Sequence, residues 1–232
     1  MLAFVDKIIL PLLSISHSRK IVEVGAEFGN TTLKLLEYCR VVGGHLFVAD
    51  PAPRFDVEDY KRRYHKQFHM LKDYSLEILP HIHDYDCILL DGDHNWYTVY
   101  NELKCIEKMA LRNQKLPIIL LHDTEWPYGR RDMYYFPDSI PDLFRKPYAK
   151  KGIKLGQSIL LESGGANAIL NNALYENGPW NGVLTAIEDF LKQTPLPYSF
   201  HRCYSNNGLG ILTPKHPEFD KNVQNLITAS GL

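Results

Sequence analysis

Through the first half of the chain, short apolar runs alternate with longer stretches whose apolar positions recur every three to four residues. These are the periods of buried strands and of amphipathic helices. Strands are predicted at 20–24, 45–49, 68–71, 86–90 and 116–121, and helices at about 30–39, 56–64, 75–79 and 96–109. Strand–helix alternation builds a parallel sheet, and runs such as Ile88-Leu89-Leu90 and Ile118-Ile119-Leu120-Leu121 suit strands buried on both faces. Past Asp123 the rhythm gives way to an aromatic, Pro-rich and Gly-rich stretch reaching Gly182, far longer than an ordinary connection. Its aromatics (Trp126, Tyr128, Tyr134, Tyr135, Phe136, Phe144 and Tyr148) can bury area, so 124–182 is expected to be an ordered lid or substrate-binding insert. A helix at 182–191 and a hairpin, 198–204 with 209–213 around Asn206-Asn207-Gly208, are predicted to follow. The expected fold class is α/β: a single domain over 1–232 with a doubly wound, Rossmann-like, seven-stranded, mostly parallel sheet, an N-terminal helix within 1–18 and a C-terminal antiparallel hairpin.

A chain of 232 residues can bury a core of ordinary size without staples. With 26 Lys+Arg against 27 Asp+Glu it lacks the cationic excess of a dedicated nucleic-acid binder. Cys39, Cys87, Cys105 and Cys203 stand singly with no CxxC pair, the usage of free thiols in a reducing compartment, so a cytoplasmic location is expected. The apolar stretch 2–15 is interrupted by Asp6, Lys7 and Pro11 and lacks a small-residue cleavage site, which favours an amphipathic helix covering the sheet over a signal peptide. No apolar run approaches the ~18 residues of a membrane span. A homodimer is compatible with the sequence, which does not fix the oligomeric state.

Candidate chemistry begins at Glu23-Val24-Gly25-Ala26-Glu27-Phe28-Gly29-Asn30-Thr31, a strand ending in a glycine-bearing turn that opens a helix. Glycines there admit a ligand close to the backbone. The spacing is G-x-x-x-G, without the middle glycine of the dinucleotide fingerprint and without the Gly-Lys-Ser/Thr of a P-loop. The next strand ends at Asp50, where an open α/β sheet places an acid to accept hydrogen bonds from ribose hydroxyls. A glycine turn and that acid together indicate a nucleoside.

On these residues the chain resembles the class I S-adenosylmethionine-dependent methyltransferases, specifically the small-molecule O-methyltransferase branch, over about residues 20–123. The resemblance implies that Glu23, Gly25 and Gly29 line the methionine end of the cofactor, that Asp50 binds the ribose and that Asp73 sits near the adenine. Glu27, Thr31 and Asp91 complete the implied cofactor set. The terminal hairpin is similar to the antiparallel pair that ends the sheet in that family.

Two successive strands end in acids, Asp91-Gly92-Asp93-His94 and His122-Asp123-Thr124, and in a parallel sheet those ends share one edge. Carboxylates with a histidine and a hydroxyl suit Mg²⁺, Mn²⁺ or Ca²⁺. In a catechol-type O-methyltransferase such a metal holds the acceptor oxygens, and the resemblance gives Asp91 and Asp123 as its ligands, with His122 as a ligand or a partner behind them. The strand-four motif of that branch commonly carries lysine where His94 stands, and its strand-five motif reads Asp-Asn where Asp123-Thr124 stands; His94 becomes the candidate general base. Asp-Gly-Asp-His also resembles methyltransferases of glycan and macrolide-sugar tailoring. His81 and His83 are expected in a solvated loop rather than as a metal pair.

Between Glu125 and Lys154 there are seven Lys or Arg against four acids, a surplus that points to an anionic, sugar-containing or nucleotide-linked acceptor. The reading is therefore methyl transfer from S-adenosylmethionine to a hydroxyl of a small molecule. The same acids and histidines also fit a metal-dependent hydrolase, and the fold also fits a non-catalytic scaffold in glycan assembly.

Overall fold

A computed structural model describes all residues, 1–232. The five strands of the first half form as predicted: β1 (Lys20–Val24), β2 (His45–Ala49), β3 (Phe68–Leu71), β4 (Cys87–Leu90) and β5 (Ile118–His122). The insert carries three short strands, β6 (Met133–Tyr134), β7 (Tyr148–Lys150) and β8 (Asn171–Ala173), which make a separate antiparallel sheet in the order β6-β8-β7. The terminal hairpin, β9 (Tyr198–Cys203) and β10 (Leu209–Pro214), completes a seven-stranded sheet in the order β3-β2-β1-β4-β5-β10-β9. Pairing is parallel from β3 to β5, and β10 runs antiparallel to both β5 and β9. The hairpin turn holds Asn206, Asn207 and Gly208 at φ of 48°, 68° and 88°, the left-handed region that Asn and Gly tolerate.

Successive strand residues point to opposite faces, and both faces are covered. Ile21, Leu46, Val48, Leu89, Leu120 and Ile211 pack against the N-terminal segment and α2 (Asn30–Val42), whereas Val22, Ile88, Leu90, Ile119 and Leu212 pack against α5 (Trp96–Asn113) and α6 (Val183–Gln193). That double coverage is why the strands read as unbroken apolar runs. Between them lie α3 (Val57–Arg63), capped by Asp56, and α4 (Ser75–Ile78).

Two elements differ from expectation. The N-terminal segment is a 3₁₀ turn (Leu2–Phe4), a π-helical turn (Val5–Ile9) and α1 (Leu10–Ile15) rather than one regular helix. It still covers the sheet, with Phe4, Val5, Ile8, Ile9, Leu12 and Leu13 fully buried. A terminal helix, α7 (Pro217–Ser230), lies where the sequence reading predicts no element. Its signal was present in Phe219, Val223, Leu226 and Ile227, spaced on one helical face, of which Val223 and Ile227 are buried. No helix is long and apolar enough to cross a membrane.

Candidate active site

The strand ends meet at a turn that only glycine permits. Gly25 has φ 81°, and a Cβ there would lie 2.4 Å from the Asp91 carbonyl oxygen and 2.6 Å from the Gly92 Cα, so the ends of β1 and β4 touch through backbone alone. Asp50, just past β2, fixes the turn: its Oδ2 accepts the N–H groups of Ala26 (2.8 Å) and Glu27 (2.9 Å), and its Oδ1 accepts that of Ala52 (2.8 Å).

A cavity of ≈ 420 Å³ opens beside these strand ends. Gly25, Glu27, Asp50 and Asp91, four of the residues proposed from sequence for the cofactor, line it. Glu23, Gly29, Thr31 and Asp73 do not. Glu23 alternates to the other face of β1 and is 2% exposed, and burial pushes its carboxyl up to about 8. Gly29 instead backs onto the Phe55 ring, and Thr31 is buried in the first turn of α2. Asp73 is exposed and accepts the Tyr74 N–H, while residues 74–77 after it form the cavity wall. Sequence reasoning missed those residues, and also Arg54, Asp93 and Thr98, whereas Tyr135 and Phe136 were named only among the insert aromatics. Asp93 was legible: it stands in the motif, two residues past Asp91, and its carboxylate accepts the Thr98 hydroxyl at 2.9 Å.

The second group of residues also converges. One ligand atom each from Asp91, His94, His122 and Asp123 lies within 4.8 Å of the others. His94 Nε2 donates to Asp123 Oδ2 at 2.6 Å, and His122 Nδ1 lies 2.9 Å from Asp91 Oδ1 and 3.0 Å from Asp123 Oδ2. Asp91 Oδ2 accepts from the amine of Met1 at 3.0 Å. Burial alone would push the His122 imidazole down, but its bonds to Asp123 and Asp91 outweigh that and raise it to about 9. His94 is likewise held above its usual value, since the Asp123 charge overcomes burial. The same contacts hold Asp123 and Asp91 below the ordinary carboxylate range against their own burial. The Nδ1 atom of His94 is buried without a partner. Two carboxylates and two imidazoles fit a divalent cation, and the imidazoles tilt the set from Mg²⁺ toward Mn²⁺ or Zn²⁺. His81 and His83 are exposed and distant in role; the Arg112 guanidinium lies against His83.

The insert's positive charge is not directed into this cavity. None of its seven basic residues lines the cavity. Arg130 forms a two-pronged pair with Glu188, Arg145 pairs with Asp142 and Asp138, and Lys151 pairs with Glu162. Arg131, 1% exposed, is spent on the carbonyls of Ala173 and Ser158 inside the insert. Lys146 lies over the Trp180 ring. Of the seven insert aromatics, only Tyr135 and Phe136 reach the cavity, where Phe136 meets Tyr74 edge-on at 5.8 Å. Phe144 instead stacks on Trp96 of α5.

Residues 22–124, which hold the glycine turn and both acid-ending strands, match the family model described as a methyltransferase domain. The fold is that of a methyltransferase. Its sheet order, with the antiparallel strand β10, matches the Rossmann-like methyltransferase fold. No curated protein matches the sequence. Among solved structures, the chain is similar to a provisional caffeoyl-CoA O-methyltransferase from Staphylococcus aureus (TM-score 0.51, 13% identity, covering 89% of this chain and 81% of that one). It is also similar to the SAH-bound methyltransferase PaMTH1 of Podospora anserina (TM-score 0.51, 15% identity, 89% and 76% covered). At such identity the likeness establishes the methyltransferase fold.

Proposed function

We propose that this protein transfers a methyl group from S-adenosylmethionine to a hydroxyl of a small molecule, a sugar in the first instance, with a divalent cation at Asp91, Asp123 and His122. The observation that carries the reading is the adjacency of the two groups: Asp91 belongs both to the cavity wall beside Gly25 and Asp50 and to the acid–imidazole cluster. Donor and acceptor would thus be held side by side, and in-line transfer needs alignment more than covalent help. The oxygen–carbon bond forms as the carbon–sulfur bond breaks, sulfur keeps the electron pair, and the hydroxyl proton must go to a base.

His94 supplies that base in this reading. Asp123 holds its Nε2–H, which leaves Nδ1 as the atom able to accept the proton, and the same carboxylate stabilises the imidazolium that results. With no cation present the surrounding carboxylates favour the charged imidazole. A bound sulfonium beside Asp91 would oppose that field and favour the neutral imidazole as the base. When bound, a divalent cation would lower the pKa of the acceptor hydroxyl and neutralise developing oxyanion charge. Asp50 keeps the turn rigid, and residues 74–77 with Thr98 shape the adenosine end.

Calorimetric titration with S-adenosylhomocysteine tests the reading, on the wild type and on Asp50→Ala, with and without Mn²⁺. Micromolar binding that Asp50→Ala abolishes is expected. Absence of binding in every condition rejects methyl transfer and favours the hydrolase that uses the same acids.

A further inference from the structure

Tyr135 occupies the place where the two halves of the site join. Its ring lines the cofactor cavity and packs edge-on against the His94 imidazole, with centroids 5.9 Å apart and planes at 65°. His94 also meets Tyr128, at 5.5 Å, so two phenol rings pack against the imidazole. His94, His122 and Asp123 do not line the cavity, although Asp91 and Asp93 do. An acceptor hydroxyl that reaches His94 from the donor side must therefore enter the space that the Tyr135 ring holds. Tyr135 is free to yield that space, being 48% exposed at the edge of the insert.

The surroundings of the phenol define what can replace it. Burial, with the added charges of Asp93, Asp91, Glu27 and Asp123, keeps the phenol un-ionised. Around the cavity as a whole, five carboxylates (Glu27, Asp50, Glu77, Asp91 and Asp93) stand against one guanidinium, Arg54, which itself lies 3.7 Å from Glu27. Such a field favours the cationic donor and a divalent cation and opposes a phosphate or carboxylate on the acceptor. None of the insert's cations lines the cavity, and Arg130, Arg131, Arg145, Lys146 and Lys151 are engaged away from it.

We propose that Tyr135 holds the acceptor's place in the ligand-free protein, and that the acceptor is an uncharged, hydroxyl-bearing ring that displaces it. The inference rests on the methyl-transfer reading and narrows its acceptor: a phosphorylated or nucleotide-linked sugar is disfavoured, whereas a neutral sugar or phenol fits. Tyr135 is itself a neutral hydroxylated ring set against the base, which is the arrangement the displaced acceptor would reproduce.

The test compares catechol with 3,4-dihydroxybenzoate, the same ring bearing a carboxylate, by ligand-observed NMR titration. The proteins are the wild type, Tyr135→Ala and Tyr135→Phe, each saturated with S-adenosylhomocysteine and checked for a wild-type circular dichroism spectrum. Tyr135→Ala is expected to bind catechol about tenfold more tightly than the wild type, and Tyr135→Phe, whose ring still fills the space, to match the wild type. Dihydroxybenzoate is expected to bind about tenfold more weakly than catechol. Equal affinity for the two probes, equal catechol affinity in the wild type and Tyr135→Ala, or no catechol binding by any of the three overturns the proposal. Failure of S-adenosylhomocysteine to bind the wild type overturns the methyltransferase reading itself, so the two failures are told apart.

Discussion

Replacing Gly25 by alanine tests the claim that the contact between β1 and β4 builds the site. Two costs arise. Holding a non-glycine residue in the left-handed region costs about 1–2 kcal/mol. The new Cβ would also sit 2.4 Å from the Asp91 carbonyl oxygen and 2.6 Å from the Gly92 Cα, both backbone atoms that no rotamer change can move. Relieving that overlap means parting the two strands, at about 1–3 kcal/mol for an overpacked site. Gly156 supplies the control: its φ is 78°, and a Cβ there meets nothing within 4 Å, so Gly156→Ala carries the backbone strain without the clash. Any gain from a stiffer unfolded chain is shared by both variants and cancels in the comparison. Urea unfolding is therefore expected to show Gly25→Ala less stable than Gly156→Ala by about 1–3 kcal/mol. The same displacement carries Asp91 away from Asp50, so Gly25→Ala should lose S-adenosylhomocysteine binding while Gly156→Ala keeps it. Equal midpoints in the two variants, with cofactor binding intact in both, would refute the reasoning.

Three further perturbations separate the parts of the site. Asp50→Ala strips the acceptor from the N–H groups of Ala26, Glu27 and Ala52, and a loss of about 2 kcal/mol or more is expected in thermal or urea unfolding, alongside loss of cofactor binding. Asp123→Asn removes the charge that both imidazoles face; Mn²⁺ affinity measured by electron paramagnetic resonance should fall about tenfold or more, and an unchanged affinity would exclude Asp123 as a ligand. Asp132 ties the insert to the body of the fold: its Oδ1 accepts the N–H groups of Trp96 (2.7 Å) and Gly182 (2.6 Å), and its Oδ2 accepts the Tyr134 hydroxyl (2.8 Å). Burial raises its carboxyl to about 6 from 3.8 despite those bonds, so between these values the folded protein holds the proton more tightly than the unfolded chain. Its contribution is therefore greatest below pH 3.8 and is lost as pH rises to 6, by ~3 kcal/mol in all. The stability difference between the wild type and Asp132→Asn should shift by about that amount from pH 4 to pH 7, and a pH-independent difference would count against a raised carboxyl.

Much of this architecture was written in local pattern. Apolar runs, helical periods and the Asn-Gly turn located twelve elements of the main fold, and strands buried on both faces cannot hide their composition. The acids at the ends of β4 and β5 were legible because strand direction in a parallel sheet brings such ends to one edge. The N-terminal segment and α7 were less so: a π-helical turn alters the period that a sequence scan relies on, and α7 shows only a narrow apolar stripe.

What the sequence determined by itself was the turn, the strands and the identity of the acid–imidazole cluster, since these depend on residue type, spacing and sheet direction. Only the tertiary structure decided where charges were spent. Composition showed a basic insert, but Arg130, Arg131, Arg145 and Lys151 each find partners brought near by folding, and the cavity is left acidic. It also decided which aromatics face the ligand, placing Tyr135 and Phe136 on the cavity and turning Phe144 onto Trp96. Long-range pairing consumes a charge or covers a ring without leaving a trace in the local sequence, and so the lining of the cavity could be read only once the chain was folded.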